Sequence, residues 1–116
     1  MNKEDSIFIE HIIQNIEDIN SFIKGISKDE LGKNKEKLNA VVRSIEVIGE
    51  AAKNISESLK AKYSDIPWKK IIGTRDIMIH RYFGVDLDVV WNIIKKDMPI
   101  LKTKIQRIKE KLEKVK

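Results

Sequence analysis

The sequence predicts an all-α protein, an antiparallel up-and-down bundle of four main helices plus one short helix. Three observations carry that reading. Apolar residues recur at alternating steps of three and four along most of the 116 residues. No stretch alternates with the period of two that a half-buried strand requires. Glycines, prolines and capping residues cluster between the periodic stretches. Neither an internal repeat nor a low-complexity linker divides the chain, so residues 1–116 read as a single helical domain.

The first helix is expected over residues 5–24. Ile9, Ile12, Ile16, Ile19 and Ile23 draw one apolar stripe, widened by Phe8 and Phe22. Asp5 or Ser6 can cap its start, and Gly25 ends it. Ser27-Lys-Asp-Glu30 has the form of a capping box, so a second helix can begin there, although Gly32 and Asn34 weaken its first turns. The strong pattern of the second helix is Leu38, Val41, Ile45, Ile48, Ala52, Ile55 and Leu59. Gly49, Ala51 and Ala52 are small enough to admit a close neighbour.

Tyr63-Ser-Asp-Ile-Pro67 breaks the pattern. Pro67 suits a first helical turn, with Ser64 or Asp65 ahead of it as cap. A helix then runs from Trp68 to Phe83, with Gly73 a point of possible interruption and Gly84 its end. Asp86 or Asp88 opens the last helix. Its stripe is Leu87, Trp91, Ile94, Met98, Leu101, Ile105, Ile108, Leu112 and Val115. The register continues across Pro99, which predicts a kink in one helix rather than a new unit. Stripes this long would leave Trp, Tyr or Met exposed on a monomer of this size, and a homodimer would bury them.

Composition narrows the function classes. The chain has no cysteine, which excludes disulfides and thiolate metal sites and fits a reducing compartment. Residues 1–6 are polar and charged, and no apolar run is long enough to span a bilayer, so a cytoplasmic protein without membrane attachment is expected. The net charge is +5, and all of it is accounted for by the seven basic and two acidic residues from Lys102 onward. Lys109, Lys111 and Lys114 in that segment are candidate RNA contacts. The same lysines also suit a solvated helix C-terminus.

One segment could do chemistry. Of the two histidines, His11 has no acid or nucleophile at a useful sequence spacing and reads as a structural or surface residue. His80 stands among Arg75, Asp76, Arg81 and Tyr82. On a helix Asp76 and His80 are neighbours four apart, and Asp76 can fix the His80 tautomer. Arg75 and Tyr82, seven apart, share another face. Arg75 and His80 lie about 140° apart around the axis. A single straight helix would not aim both at one phosphate. Either the helix breaks near Gly73 and Thr74, or two copies of the segment meet across a dimer axis. Histidine titrates near neutrality and serves as base or acid. Arginine grips phosphate oxygens in a fork and stays charged.

The stretch Ile66-Pro-Trp68…Ile71-Ile-Gly73-Thr-Arg75-Asp-Ile-Met-Ile-His80-Arg-Tyr82-Phe-Gly-Val-Asp86-Leu-Asp-Val-Val-Trp91, with Arg43-Ser-Ile-Glu46-Val-Ile-Gly49-Glu50-Ala-Ala-Lys53 before it, resembles the HepT-like branch of the HEPN superfamily. The similarity runs from the first helix to about Leu101. It implies a dimerising helical bundle whose motif lines a cleft at the interface. It also implies a toxin that cleaves RNA without metal or cofactor and is neutralised by a minimal nucleotidyltransferase antitoxin. Carried over, Arg75 and His80 are catalytic, Asp76 supports them, and Tyr82 accepts AMP from the antitoxin. Arg81 stands where acidic or small residues are common in the family, and extra positive charge there could aid RNA binding. The alternative reading is a non-catalytic helical partner, or substrate-binding subunit, of that transferase. Glu46 and Glu50 share a helix face and read as solvated or as packing near Gly49, and Trp68 and Trp91 as core or interface anchors.

Overall fold

The structure, a computed structural model, describes the backbone of residues 3–80 and 86–114 and the side chains of residues 3–74 and 86–113. Its elements are α1 (Lys3–Ile23), α2 (Lys28–Lys33), α3 (Lys35–Asn54), α4 (Glu57–Lys62), α5 (Trp68–His80), α6 (Leu87–Asn92), a π-helical turn (Ile93–Asp97) and α7 (Met98–Lys114). No strand occurs among the described residues. The all-α bundle is the one that the three-four periodicity predicts.

The isoleucine stripe of α1 is the core seam. Ile9, Ile12, Ile16 and Ile19 are fully buried, each contributing roughly 1.5–3 kcal/mol through burial. α1 begins earlier than expected, so Asp5 and Ser6 lie inside it rather than at its cap. Asp5 instead holds a distant residue. Its carboxylate, 2% exposed, accepts hydrogen bonds from the Ser56 backbone N–H at 2.8 Å and the Ser56 hydroxyl at 2.6 Å. A buried carboxylate needs such partners to offset its desolvation. Gly25, with φ of 74°, ends the helix in the left-handed region that glycine enters without strain.

What the sequence presents as one long second helix is three. The capping box at Ser27 forms, with Glu30 N–H donating to Ser27 Oγ at 3.2 Å and Ser27 N–H to Glu30 Oε1 at 3.0 Å. Glu30 is therefore held below the ordinary carboxylate range, first by the Ser27 backbone N–H and then by its hydroxyl. Asn34 closes α2 and opens α3, where its side chain accepts from the Lys37 N–H at 3.1 Å. Ser56 interrupts the other end by capping α4 with a bond from the Leu59 N–H at 3.3 Å. Such short polar side chains offer the backbone an alternative to the helical ladder. The apolar register survives both breaks: Val41, Ile45, Ile48, Ala52, Ile55 and Leu59 are all buried. At Gly32 a Cβ would lie 2.6 Å from Leu87 Cδ2, the end of a flexible side chain that would have to shift.

α3 is the central helix, packed on α1 at one side and α5 at the other, while α7 also covers α1. Asp86 caps α6 through bonds from the Asp88 and Val89 N–H groups at 3.0 and 3.3 Å. The irregularity expected at Pro99 is a widened turn just upstream. Met98 N–H bonds back five residues to the Ile93 carbonyl. A proline ring clashes with the carbonyl four residues earlier, and a π turn moves that carbonyl aside. Ile94, Met98, Leu101, Ile105 and Ile108 stay buried across it. The expected display of exposed Trp, Tyr and Met is not found among the described residues. Trp68 and Met98 are buried, Trp91 and Tyr63 are partly buried, and the exposed large apolar residues are Ile7 and Ile100. Trp68 and Met98 thus join the isoleucines in the core, while Trp91 and Tyr63 pack against its margin.

Candidate functional site

α5 carries the chemical segment. Its first turn forms because the Pro67 carbonyl accepts from the Ile71 N–H at 3.1 Å. Trp68 fixes its start, buried and donating its indole N–H to the Tyr63 carbonyl at 3.1 Å. The helix then runs without interruption through Gly73 and Thr74 to His80. Thr74 supports it with a hydroxyl bond to the Lys70 carbonyl at 2.9 Å. The break considered near Gly73 is therefore absent. A helical glycine with open space around it has no reason to leave the ladder, and nothing lies within 4 Å of a Cβ built there.

The backbone of Arg75, Asp76 and His80 thus belongs to one continuous helix. Their side chains lie outside the described residues, as do Arg81 and Tyr82 altogether. Backbone geometry alone sets Arg75 and His80 about 140° apart and roughly 7.5 Å along the axis, with Asp76 and His80 on one face.

Two of the clefts among the described residues lie against α3. Between α5, α3 and α7 lies one of about 250 Å³, with Ile45, Ile48, Ile71 and Leu101 among its walls and Thr74 at the end nearest the motif. Ion pairs bridge its rim: Lys70–Asp97 at 3.3 Å and Lys104–Asp65 at 3.7 Å. Exposed Ile100 stands beside it. The second cleft, between α1 and α3, measures about 410 Å³ and brings His11 beside Arg43, Glu46 and Glu50. The sequence hides that meeting of His11 with acidic residues, since they are more than thirty positions apart. Arg43 pairs with Glu46 at 3.7 Å, and the His11 ring stands edge-on to Phe8. Among the described residues no group of three or more His, Cys, Asp or Glu is placed to hold a metal ion. No described helix is long and apolar enough to cross a membrane.

The basic residues of α7 divide between faces. Lys109 Nζ pairs with Glu10 Oε1 at 3.0 Å, and that carboxylate raises the lysine above its ordinary pKa. Lys111 instead lies over the Tyr63 ring, 5.5 Å from its centroid. The Lys114 side chain falls outside the described residues. Arg107 and Lys104, passed over in the sequence, share the Lys111 side of the helix, as their spacing of three and then four residues could have indicated.

The family described as "Ribonuclease HepT-like" matches residues 12–108. The chain is 37% identical to "Probable ribonuclease HepT" of Thermococcus cleftensis, over 95% of this chain and 100% of that protein. It is 41% identical to "Putative RNase TTE0752" of Caldanaerobacter subterraneus, over 90% of this chain and 93% of the relative. It is 44% identical to "Gamma-glutamylcyclotransferase and putative RNase MJ0434" of Methanocaldococcus jannaschii, over 98% of this chain but only 51% of that longer protein. The chain thus spans about half of that relative and nearly all of the other two. No solved structure matches it.

Proposed function

The chain belongs to the ribonuclease HepT-like family, and from that membership we propose that it is a metal-independent endoribonuclease whose active site is shared between two copies. The observation that carries the shared site is the continuity of α5 through Gly73 to His80. A continuous helix turns Arg75 and His80 to different sides, so one copy presents them poorly to one phosphate. Two copies related by a twofold axis supply two histidines and two arginines around a single scissile bond.

The chemistry follows from those groups. One His80, neutral, takes the proton from a ribose 2′-hydroxyl. The freed oxygen attacks the adjacent phosphorus, and the phosphorus–5′-oxygen bond breaks. The partner's His80, charged, gives its proton to the departing 5′-oxygen. The products are a 2′,3′-cyclic phosphate and a 5′-hydroxyl, and the two histidines end with their protonation states exchanged. Arg75 stabilises negative charge on the phosphoryl oxygens. Asp76, one turn before His80, orients the imidazole and favours its charged form.

In this reading the protein is the toxin of a pair, neutralised when a minimal nucleotidyltransferase transfers AMP to Tyr82. A phosphodiester on that tyrosine adds bulk and negative charge two residues from His80. It then competes for Arg75 as a tethered mimic of the substrate. The test is incubation of unmodified protein with RNA in EDTA, followed by end-group analysis. Cleavage leaving cyclic phosphate or its hydrolysed form is the expected result. RNA left intact by a chain that still accepts AMP at Tyr82 would mark a non-catalytic partner of the transferase instead.

A further inference from the structure

We propose that Tyr63, at the end of α4, and the α7 residues Lys104, Arg107 and Lys111 form a docking surface for single-stranded RNA, separate from the cleavage residues of α5. A shallow cleft of about 320 Å³ opens there, lined by these four residues together with Ile66, Asp65 and Glu110. The partly buried Tyr63 ring is bracketed by two ammonium groups, Lys62 Nζ at 5.8 Å and Lys111 Nζ at 5.5 Å from its centroid. Both distances sit at the outer limit of cation–π attraction, so the ring is flanked by charge rather than tightly covered.

The charges are also unevenly satisfied. Asp65 is engaged by Lys104, whose Nζ also bonds the Asp65 carbonyl at 2.8 Å. Among the described residues Lys62, Arg107 and Lys111 have no carboxylate within ion-pair distance, whereas Lys109 on the opposite side of α7 is held by Glu10. Among the described residues Glu110, also at the cleft, has no lysine or arginine at that distance. Positive charge therefore exceeds negative around an aromatic ring.

The arrangement favours a linear polyanion. Lys104, Arg107 and Lys111 climb α7 in steps of three and four residues, about 10 Å along the axis. That is about three nucleotides of a stacked strand. An aromatic ring beside such a row is the combination that grips single strands without reading their sequence, charge holding the backbone and the ring stacking a base. The surface is also coupled to the motif helix. The Tyr63 carbonyl receives the Trp68 indole N–H at the start of α5, and Arg75 lies roughly 10 Å further along that helix. RNA held at Tyr63 would thus be led toward α5. The choice of RNA as the polyanion rests on the ribonuclease reading above.

A fluorescent 2′-O-methyl oligoribonucleotide tests the surface, because it lacks the attacking hydroxyl and binding is measured without cleavage. Arg107→Gln/Lys111→Gln should weaken its binding about tenfold at moderate salt and reduce the salt slope by about 1.4. Lys24→Gln/Lys102→Gln removes the same charge outside the cleft's lining and should change affinity less than about twofold. Tyr63→Leu should weaken binding by about fivefold or more, with Tyr63→Phe restoring it. Circular dichroism confirms that each variant is folded. Equal losses from the two double variants, or no loss from the first, would overturn the surface, as would a parent chain that does not bind the oligonucleotide. Binding to an acidic peptide in preference to the oligonucleotide would also overturn it. Cleavage of unmethylated RNA is scored separately, so a chain that binds here but never cuts would sink the nuclease reading and leave the surface standing.

Discussion

His80 is the residue on which the proposed chemistry turns, because both proton transfers pass through its imidazole. His80→Ala should lower cleavage by about 10²-fold or more while circular dichroism stays unchanged. Arg75→Ala should cost about 10²–10³-fold through lost charge stabilisation at the phosphate. Tyr82→Phe should keep substantial activity yet gain no AMP when co-expressed with the transferase, as intact-mass measurement would reveal. A His80→Ala chain that cuts RNA as fast as its parent would rule out the mechanism. Asp5 invites a different experiment. Replacing it with alanine strands the Ser56 N–H and leaves the Ser56 hydroxyl only the more distant Ser58 Oγ at 3.2 Å. A loss of about 2–3 kcal/mol in urea denaturation is expected. The sequence offered Asp5 as a cap for its own helix. Its true partner is 51 residues away, and no local spacing encodes that. Lys109 was similarly opaque, since its carboxylate lies on α1.

Elements were legible in kind and less so in their limits. The capping box at Ser27, the stop at Gly25 and the cap at Asp86 all rest on local geometry, and all form. The breaks at Asn34 and Ser56 were hidden because the apolar register runs straight across them. Packing kept the same face buried while a polar side chain redirected the backbone. Two predictions belong at this scale. Glu30 is held below its ordinary value of 4.5 by Ser27. Its contribution to the cap is therefore fully present above pH 4.5 and is lost as pH falls through the lower folded value. An NMR titration should place the Glu30 midpoint below 4.5, and Ser27→Ala should bring it back up. The second concerns the continuity of α5. Gly73 has open space around its Cβ position, so Gly73→Ala should stabilise the protein by about 0.5–1 kcal/mol. A lowered melting temperature would mean that the glycine breaks the helix after all.

At the scale of the molecule, four main helices around an isoleucine core make a scaffold in which α3 supports α5 along its inner face. That rigidity is what turns the spacing of Arg75 and His80 into a constraint. A flexible segment could bend both groups toward one phosphate, but a continuous helix packed on α3 cannot do so cheaply. The fold class was readable because periodicity is a local property, and the family because the resemblance rests on residues contiguous in sequence. The tertiary surface around Tyr63 was not, because it joins α4 to α7. The apolar argument for a dimer is narrower than the sequence alone made it, with Ile100 the exposed large apolar residue beside α5's cleft. In the proposed mechanism pairing follows instead from the spacing of Arg75 and His80 along one helix. Light scattering should report a dimer at micromolar concentration, and a stable, active monomer would remove the need for a shared site. Subunit mixing probes that site most directly. Parent and His80→Ala chains, differently tagged, are co-expressed in equal amounts, and cleavage of labelled RNA is followed in EDTA at constant total protein. If each cut needs both histidines of a symmetric pair, activity falls to about a quarter of the all-parent value. Activity at about a half would mean that each His80 works alone, and the shared active site would be contradicted.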